Sequence, residues 1–505
     1  MNSEVQYGKR LELKQSPCPQ FQLQSRFCSR DTRHGQTSRF PTPATVVSTG
    51  SALSPLRFRE QLPRYGRTEN GGRAGDKSAS DYRHLYTPSG ARGVNGVYEI
   101  YETSSKAVAA YDAAVYVWNS HHRKMSSAPL NPAVFYQALQ DSGINFFCGV
   151  PDSLLKDFCA YVTQTVPEKN HIITANEGSA VALAAGYHLA TGKTGMVYLQ
   201  NSGLGNTVNP LMSLAAPGVY SIPLLLLIGW RGEPGVKDEP QHITQGRITE
   251  DMLKVMEIPC HVLPQDETKM KQLLSEARHH FEEKKSPFCL LVKSKTFSAC
   301  KLPAQPPMFP LTREDALVKV VDCLTPNDPI VSSTGMLSRE LFEFRVSKNM
   351  GHSRDFLTVG SMGLASSIAL GIALNKPDRQ VYCLDGDGAV LMHMGALATI
   401  GQRGLPNLRH IVFNNGAHDS VGGQPTEAGH HDTLSIPNIA LACGYREAFS
   451  VTTEDEIETG MKRLVSQPGP VLMEVKIRLG SRGNLGRPTR TTHENKGDFM
   501  AFLNS

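Results

Sequence analysis

The sequence lacks long apolar runs and paired cysteines. Its most apolar stretch, "SIPLLLLIGW" at 221–230, is much shorter than the about 20 residues of a membrane helix and predicts a buried strand. The 10 cysteines are scattered singly, without the CxxC spacing of zinc modules or redox pairs. These absences argue against a membrane span and a disulfide scaffold. They favour a reducing compartment, and we expect a cytoplasmic protein.

The positive charge is confined to one end of the chain. The 505 residues carry a formal net charge of +5, but residues 1–125 hold 18 Lys and Arg against 10 Asp and Glu. That segment is therefore +8, which leaves the remainder at −3. We accordingly predict no nucleic-acid partner and no membrane partner for the remainder.

The composition changes near residue 127. Residues 1–126 are rich in Ser, Arg, Gly, Pro and Gln, which predicts a low-complexity, disordered leader; mitochondrial targeting or attachment to an acidic surface are alternative uses. Met125 would suit the start of the compact part. Beyond it, apolar strands alternate with helix patterns, which is typical of mostly parallel α/β sheets. The stretch 301–310 contains four prolines and predicts a linker, so we expect α/β domains at 127–300 and 311–505.

Two polar motifs follow neighbouring strands of the second domain. "CLDGDGAV" (383–390) places Asp387 between Gly386 and Gly388 where an apolar strand ends, and "NN" (414–415) ends the next strand. The intervening residues suffice for one helix and a strand, so a right-handed crossover brings both ends side by side. Carboxylate and amide oxygens suit Mg²⁺, and glycines let backbone amides approach a phosphate. A lone GDG is more often a plain turn, but this pairing predicts a magnesium and phosphate site.

This pairing resembles the diphosphate-binding motif of thiamine diphosphate (ThDP) enzymes. The resemblance implies Mg²⁺ bound by Asp387, the side chain of Asn415 and the main-chain carbonyl of Ala417. In "TVGSMGLASSIALG" (358–371) it further implies that Met362 bends the cofactor and that the Gly360 carbonyl accepts a bond from its 4′-amino group. The alternative for Met362 is a core methionine at a helix start.

The family also requires a glutamate bonded to N1′ of the cofactor pyrimidine. "IITANEGSAVALAAGYHLATG" supplies Glu177 where a strand gives way to a helix, with Gly192 as the expected helix stop. A first-turn glutamate that complements the helix dipole is the alternative. The resemblance implies that each half is a ThDP-binding domain, pyrimidine-binding first and diphosphate-binding second, with no middle domain.

Longer stretches resemble the phosphonopyruvate decarboxylases within this family. They are "GVPDSLLKDF", "GWRGEPGVKDEPQH", "DFLTVGSMGLASSIALGIAL", "DGDGAVLMHMG" and "NNGAHDSVGGQPT". The implied activity is that of a carboxy-lyase in phosphonate (2-aminoethylphosphonate) biosynthesis, which converts the 2-keto acid phosphonopyruvate to phosphonoacetaldehyde and CO₂. Sulfopyruvate decarboxylation, another 2-keto acid, carboligation and a non-catalytic cofactor-binding protein are the alternatives.

Acid–base groups are expected on loops of the first domain. The resemblance places Asp152 ("GVPDS") and His242 ("KDEPQH") at active-site positions, whereas a turn residue and a surface histidine are the alternatives. His418 lies beside the metal loop without a clear role. One cofactor needs Glu177 and Asp387, which in this family usually come from different subunits, so we expect a homodimer or a higher homo-oligomer.

The anionic tail of the substrate requires cations or backbone amides. Each basic candidate is more often a solvated surface charge than a ligand. The candidates near strand-end loops are Lys156, Arg231, Arg247 and Arg354.

Overall fold

The computed structural model describes residues 128–505. The predictions for the leader over 1–126, including its targeting role and the start at Met125, lie outside this range. Among the described helices, none has the length and apolar character needed to cross a membrane.

The first domain is built on a sheet in which all described pairs are parallel. Its strands are β1 (Phe147–Gly149), β2 (His171–Ile173), β3 (Gly195–Gln200), β4 (Leu224–Gly229), β5 (Cys260–Val262) and β6 (Phe288–Val292). They lie in the order β2-β1-β3-β4-β6-β5. Its helices are α1 (Pro132–Asp141), α2 (Lys156–Thr165), α3 (Glu177–Thr191), α4 (Leu204–Pro210), α5 (Pro240–Val255) and α6 (Glu267–Lys284).

The second domain carries a parallel sheet and a short antiparallel hairpin. The sheet strands are β7 (Ile330–Ser332), β8 (Asp355–Leu357), β9 (Val381–Gly386), β10 (Leu408–Asn414), β13 (Glu447–Val451) and β14 (Val471–Lys476); the hairpin strands are β11 (Ala417–His418) and β12 (Gln424–Pro425). The helices are α7 (Arg313–Asp322), α8 (Met336–Ser347), α9 (Ala365–Asn375), α10 (Asp387–Met392), α11 (Gly395–Arg403), α12 (Ile436–Cys443), α13 (Glu454–Ser466) and α14 (Thr492–Leu503).

The two sheets have the same topology. The second sheet has the order β8-β7-β9-β10-β14-β13, which repeats the first once the β11–β12 hairpin is set aside. The end of β3 therefore corresponds to the end of β9, and the loop before α3 to the loop before α9. Equivalent strand ends in the two domains carry the predicted site residues, as expected where ligands bind at the carboxyl edges of parallel sheets.

Each sheet is covered by apolar side chains on both faces. In β4, Leu225 and Leu227 belong to one core and Leu224 and Leu226 to the other, and all four are fully buried. Burial on both faces explains why these strands are continuous apolar runs in the sequence. The predicted fold class of two mostly parallel α/β domains without a middle domain is confirmed over the described residues; between β6 and α7 they form no helix or strand.

Some local predictions differ from the structure. The single helix expected between Gly388 and β10 is two helices, α10 and α11, interrupted at His393 and Met394. The strands β5 and β13 were not anticipated, because these edge strands are partly exposed and lack a continuous apolar run. The helix stop at Gly192 is confirmed: it has a left-handed φ of 69°.

Candidate active site

The residues predicted to bind the metal lie at the ends of two adjacent strands. Gly386 pairs with Phe413, so Asp387 and Asn414 lie side by side at the ends of neighbouring strands. The Asp387 carboxyl is 3% exposed, and its Oδ2 accepts a 2.5 Å hydrogen bond from the Thr426 hydroxyl. Burial raises the pKa of Asp387 to about 7, although the Thr426 hydroxyl and the Gly388 amide oppose this rise. A buried carboxyl with no ion-pair partner in residues 128–505 is a site that a cation would stabilise.

The two asparagines at the end of β10 have different environments. Asn414 is buried and structural: its amide donates to Glu474 Oε1 at 2.8 Å, and its Oδ1 accepts from the Gly416 amide at 2.9 Å. Asn415 is half-buried, and its amide donates to Asp419 Oδ2 at 2.9 Å. Its Oδ1 accepts from the Ala417 amide at 3.1 Å and keeps a second lone pair.

A buried arginine holds the partner of Asn415. Arg313, at the first position of α7, donates to Asp419 Oδ2 at 2.7 Å and to both carboxylate oxygens of Glu340 at 2.8 and 3.0 Å. Asp419 Oδ1 also accepts from the Gly480 amide at 3.1 Å. Because Asp419 is fixed on both oxygens, it fixes the Asn415 amide, and Asn415 Oδ1 is oriented in turn.

The glycine-rich turn lies close to the loop before α9. A Cβ on Gly388 would lie 2.7 Å from His418 Cε1 and 3.2 Å from Met362 Cε, so only glycine fits there, whereas one on Gly386 would meet nothing within 4 Å. Burial lowers the pKa of His418 to about 4, so this ring is neutral at physiological pH.

Met362 lies between two residues with left-handed backbone, Ser361 at φ 54° and Gly363 at φ 84°. It is half-buried rather than a core residue. A non-glycine residue at positive φ is unfavourable, and such conformations cluster at ligand-binding loops. On the other side of this loop, a Cβ on Gly360 would lie 3.5 Å from the Gln241 side chain of the first domain.

These residues fit a magnesium diphosphate. Asp387, Asn415 and the Ala417 carbonyl offer hard oxygen ligands on one loop edge, and Gly386 leaves open backbone beside them. The long, half-buried Met362 has the shape to support a planar ring. Residues 128–505 thus contain suitable contacts for both the metal and the cofactor.

Glu177 is buried at the start of α3. It is 5% exposed, and Asn176 before it caps the helix by accepting from the Gly178 amide at 2.8 Å. The Asn206 side-chain amide donates to Glu177 Oε2 at 2.8 Å, and a Cβ on Gly203 would overlap this carboxylate. Burial raises the pKa of Glu177, and the Asn206 bond opposes that rise. Glu177 is also the acidic residue in the first turn of α3, so the helix-dipole alternative applies to this side chain together with its burial.

Asp152 is fully buried in the turn before α2. Its Oδ2 accepts from the Leu154 amide at 2.7 Å, which is the turn role considered as the alternative. A Cβ on Gly229, at the end of β4, would overlap the same carboxylate. Burial raises the pKa of Asp152 to about 6, against the opposing Leu154 bond and the charge of Arg231. A carboxyl that titrates near neutrality is suited to proton transfer.

His242 lies in the first turn of α5 and is buried, so it is not a surface histidine. Burial lowers its pKa to about 4, helped by the charge of Arg231 and opposed by that of Asp238. Its Nδ1 has no hydrogen-bond partner in residues 128–505. It is therefore a neutral imidazole with one ring nitrogen free.

The four basic candidates have different surroundings. Arg231 is held by Asp238 and Ser153. Arg354 directly precedes β8, at the amino end of the sheet, and donates to the Thr325 carbonyl, away from the strand ends that carry the site. Lys156 and Arg247 are exposed.

The structure brings only some of the predicted residues together. Asp387, Asn415, Gly388, Met362 and His418 form one group, and Gly360 contacts Gln241, next to His242. Within residues 128–505, no hydrogen bond or ion pair joins Glu177 to Asp387. The two domains are joined by a 2.7 Å hydrogen bond from Thr163 to Gln424 and by an Arg487–Glu239 ion pair.

Several polar residues of the site were missed in the sequence. Asn206 ends the glycine-rich "NSGLGN" stretch, whose composition was the available signal. Thr426 and Arg313 gave no signal, because their partners are distant in the sequence, whereas Asp419 lies only four residues after Asn415 within the quoted "NNGAHDS" stretch.

Comparison with known proteins agrees with the resemblance to ThDP enzymes that the sequence motifs indicate. The family model of the thiamine pyrophosphate enzyme N-terminal TPP binding domain matches residues 132–254, and that of the C-terminal TPP binding domain matches 333–475. A phosphonopyruvate decarboxylase of Streptomyces viridochromogenes is 35% identical over 384 residues, which cover 72% of this chain and 92% of the relative.

Two further relatives are also decarboxylases. A phosphonopyruvate decarboxylase of Streptomyces hygroscopicus is 34% identical, covering 71% of this chain and 90% of the relative. A sulfopyruvate decarboxylase of Methanosarcina acetivorans is 30% identical, covering 64% of this chain and 84% of the relative. The chain therefore belongs to the thiamine pyrophosphate enzyme family, among its ThDP-dependent decarboxylases.

Proposed function

We propose that this protein decarboxylates 3-phosphonopyruvate to phosphonoacetaldehyde and CO₂ with Mg²⁺ and ThDP, as a cytoplasmic step of phosphonate biosynthesis. One observation carries the substrate assignment: the similarity to a phosphonopyruvate decarboxylase extends over 92% of that relative's length at 35% identity. In the reaction the carboxylate leaves as CO₂, and a proton takes its place on the adjacent carbon.

In this proposal Asp387, Asn415 and the Ala417 carbonyl bind Mg²⁺. The turn of Gly386 and Gly388 approaches the diphosphate. The oxygen ligands suit Mg²⁺, and the buried Asp387 carboxyl gains a cation. The Gly360 carbonyl would accept a bond from the aminopyrimidine of the cofactor. Met362 would support the bent conformation of the cofactor.

The bound cofactor supplies an electron sink for the decarboxylation, and the protein supplies orientation and protons. Glu177 would bond the pyrimidine of the cofactor and exchange a proton with it at its buried carboxyl, whose pKa burial raises. Asp152 and His242 are the remaining acid–base pair. With a pKa of about 6, Asp152 would both give and take protons near neutrality, and the unpartnered Nδ1 of His242 is available for a hydrogen bond to the substrate.

The decisive experiment compares CO₂ release from phosphonopyruvate, sulfopyruvate and pyruvate by the purified protein with ThDP and Mg²⁺. A clear preference for phosphonopyruvate, lost on chelation and restored by Mg²⁺, is the expected result. Absence of CO₂ release from all three, with ThDP still bound, would refute the proposal.

Sulfopyruvate decarboxylation is the second candidate, supported by the 30% identical relative. The chemistry at the keto acid is the same, and the tail is a sulfonate monoanion rather than a phosphonate that approaches a dianion near neutral pH. The same comparison of substrates separates the two candidates.

We further propose a homodimer or higher homo-oligomer whose active sites combine Glu177 of one subunit with Asp387 of another. Co-expression of Glu177→Gln and Asp387→Asn chains tests this arrangement. If the site lies between subunits, mixed dimers contain one site with both substitutions and one intact site, so activity returns. If each chain holds its own complete site, the mixture stays as inactive as the two variants.

A further inference from the structure

Two adjacent strands of the second sheet carry a cluster of metal-ligating side chains inside an apolar core. Cys383 and Asp385 lie two positions apart on β9, so both side chains are on one face of the sheet. His410 of β10 pairs with Cys383, which places its ring on the same face. All three are at most 1% exposed, and their neighbours on this face, Val381 and Val412, are fully buried.

Two polar atoms of this cluster have no hydrogen-bond partner. Asp385 Oδ2 and His410 Nε2 are both buried and unpaired within residues 128–505. They lie 3.5 Å apart, whereas a charge-assisted hydrogen bond between such groups is about 2.7–2.9 Å long. Buried unpaired polar atoms are costly and rare in folded proteins, so this pair requires an explanation.

The spacing of the three side chains fits one metal ion. Each offers one ligand atom, and these atoms all lie within 4.8 Å of one another. Nitrogen and oxygen ligands about 2.1 Å from a tetrahedral Zn²⁺ ion are about 3.4 Å apart. The 3.5 Å between His410 Nε2 and Asp385 Oδ2 is close to that value.

Neighbouring groups orient two of the ligands. Asp385 Oδ1 accepts from the Gly386 amide at 3.0 Å, which leaves Oδ2 for the cluster. On the other side of the imidazole, His410 Nδ1 lies 3.1 Å from the Tyr445 hydroxyl, so that Nε2 faces the cluster. A metal-bound histidine usually uses its second ring nitrogen in such a contact, which fixes the ring and its tautomer.

We propose that Cys383, Asp385 and His410 bind Zn²⁺, with a water molecule in the fourth position. Thiolate and imidazole are donors that suit Zn²⁺, whereas Mg²⁺ takes oxygen ligands. The Cys383 thiol releases its proton to solvent on binding, so one thiolate, one carboxylate and a neutral imidazole balance the charge of the ion. A site without net charge is suited to the core.

This site is separate from the proposed Mg²⁺ site and does not depend on the proposed reaction. Asp385 directly precedes Gly386, so the zinc ion anchors β9 where the turn beside Asp387 begins. Its role is therefore structural, and its loss should lower the Tm of the protein.

The test uses the full chain, reduced, stripped of metal with a chelator and titrated with Co²⁺ and Zn²⁺. A thiolate ligand gives Co²⁺ a charge-transfer band in the near ultraviolet. The oxygen ligands of the Asp387 site cannot give that band. We expect the band, one tightly bound Zn²⁺ per chain by elemental analysis, and a higher Tm with Zn²⁺.

Substitutions then locate the ion. Groups that only orient a ligand contribute about 10- to 100-fold to metal affinity, so Cys383→Ser, which removes a ligand, should abolish the band and weaken Zn²⁺ binding by at least about 100-fold. The matched control is Cys148→Ser, at a fully buried cysteine of β1, which keeps both. Asp387→Asn also keeps the band, which separates this site from the proposed Mg²⁺ site.

A wild-type protein that gives no band and takes up no Zn²⁺ would overturn the inference and leave Asp385 and His410 as a plain ion pair. A band that persists in Cys383→Ser would overturn it equally. If Cys383→Ser does not fold, Tyr445→Phe removes only the hydroxyl beside His410 Nδ1. The Zn²⁺ affinity of that variant should fall by about 10- to 100-fold, and an unchanged affinity would count against the site.

Discussion

The side-chain amide of Asn206 donates a 2.8 Å hydrogen bond to Oε2 of Glu177, and this is the only side chain in residues 128–505 that bonds the carboxylate. The bond favours the charged form and opposes the burial that raises the pKa of Glu177. Asn206→Ala should therefore raise that pKa further. We expect the ionisation of Glu177 in the pH profile of kcat to move to higher pH, while Asn209→Ala, at an exposed asparagine of the same helix that does not bond Glu177, leaves the profile in place. A profile unchanged by Asn206→Ala would mean that Glu177 does not control the observed ionisation.

Replacing Glu177 itself separates proton transfer from binding. Glu177→Gln keeps the shape and an acceptor for Asn206 but cannot ionise. A group used in proton transfer contributes about 10²- to 10⁴-fold to the rate, so we expect a loss of turnover of that size with the Kd of ThDP within about threefold. Single-turnover kinetics and cofactor titration are the measurements. Normal turnover in the variant would eliminate the proposed proton path.

Gly203 and Gly205 allow a matched pair of substitutions that tests the position of the Glu177 carboxylate. A Cβ on Gly203 would overlap Glu177, whereas one on Gly205 meets nothing within 4 Å. We expect Gly203→Ala to displace the carboxylate and lower kcat by at least about tenfold. Gly205→Ala, inside α4, should keep full activity and gain up to about 1 kcal/mol of stability, because alanine favours helix. Equal activities for the two variants would show that the position of Glu177 is not critical.

The sequence predicted the fold best where the strands are buried on both faces. Runs such as Leu224–Gly229 read as strands because nearly every residue is apolar, whereas the exposed edge strand β5 carries no such pattern. The break between α10 and α11 also escaped prediction, since no proline marks it. The repeated strand order of the two sheets was not visible, because the domains share a topology without a repeat in their residues.

Site residues were predictable where an unusual local pattern marks them. The turn of Gly386, Asp387 and Gly388 stands out in a single sequence, and at Gly388 a side chain would meet His418 and Met362. Thr426 contacts Asp387 across 39 positions and Arg313 contacts Asp419 across 106, so only the fold brings Thr426 and Arg313 to the site. Long-range polar contacts of this kind have no local pattern.

The buried Asp387 carboxyl predicts a conflict between stability and binding. Its pKa is about 7 in the folded protein, against an ordinary value of 3.8 for an aspartate, so without metal the charged form opposes folding. This cost is absent below about pH 4, grows as the pH rises, and reaches at most about 4 kcal/mol above pH 7. We expect Asp387→Asn to raise the Tm of the metal-free protein at pH 8 but not at pH 4.

Binding of Mg²⁺ and ThDP should reverse the order of the two Tm values. Mg²⁺ and ThDP at about 100 times their Kd add about 2.7 kcal/mol to the wild type, seen as a higher Tm, and the variant should show little of this rise. A full ligand-induced rise in Tm for Asp387→Asn would contradict the assignment of Asp387 as a metal ligand.

Arg313 and Asp419 should control the affinity for the metal indirectly, because they orient Asn415 without binding the metal themselves. Asp419 is held by the buried Arg313 at 2.7 Å and accepts from Asn415 at 2.9 Å, so it sets the direction of Asn415 Oδ1. Substitution of groups that orient metal ligands typically costs about 10- to 100-fold in affinity, and we expect a loss in that range for Asp419→Ala with ThDP present. Asp419→Asn retains an acceptor and should recover part of it.

A separate control distinguishes orientation of Asn415 from general destabilisation. Asp498→Ala removes a carboxylate of the exposed Arg490–Asp498 pair in the same domain, and its Mg²⁺ affinity should equal that of the wild type. Mg²⁺ titration followed by the rise in Tm reports both affinity and stability in one experiment. A lower Tm in Asp419→Ala with unchanged Mg²⁺ affinity would mean that Asp419 has only a structural role. An orienting role requires that the affinity falls.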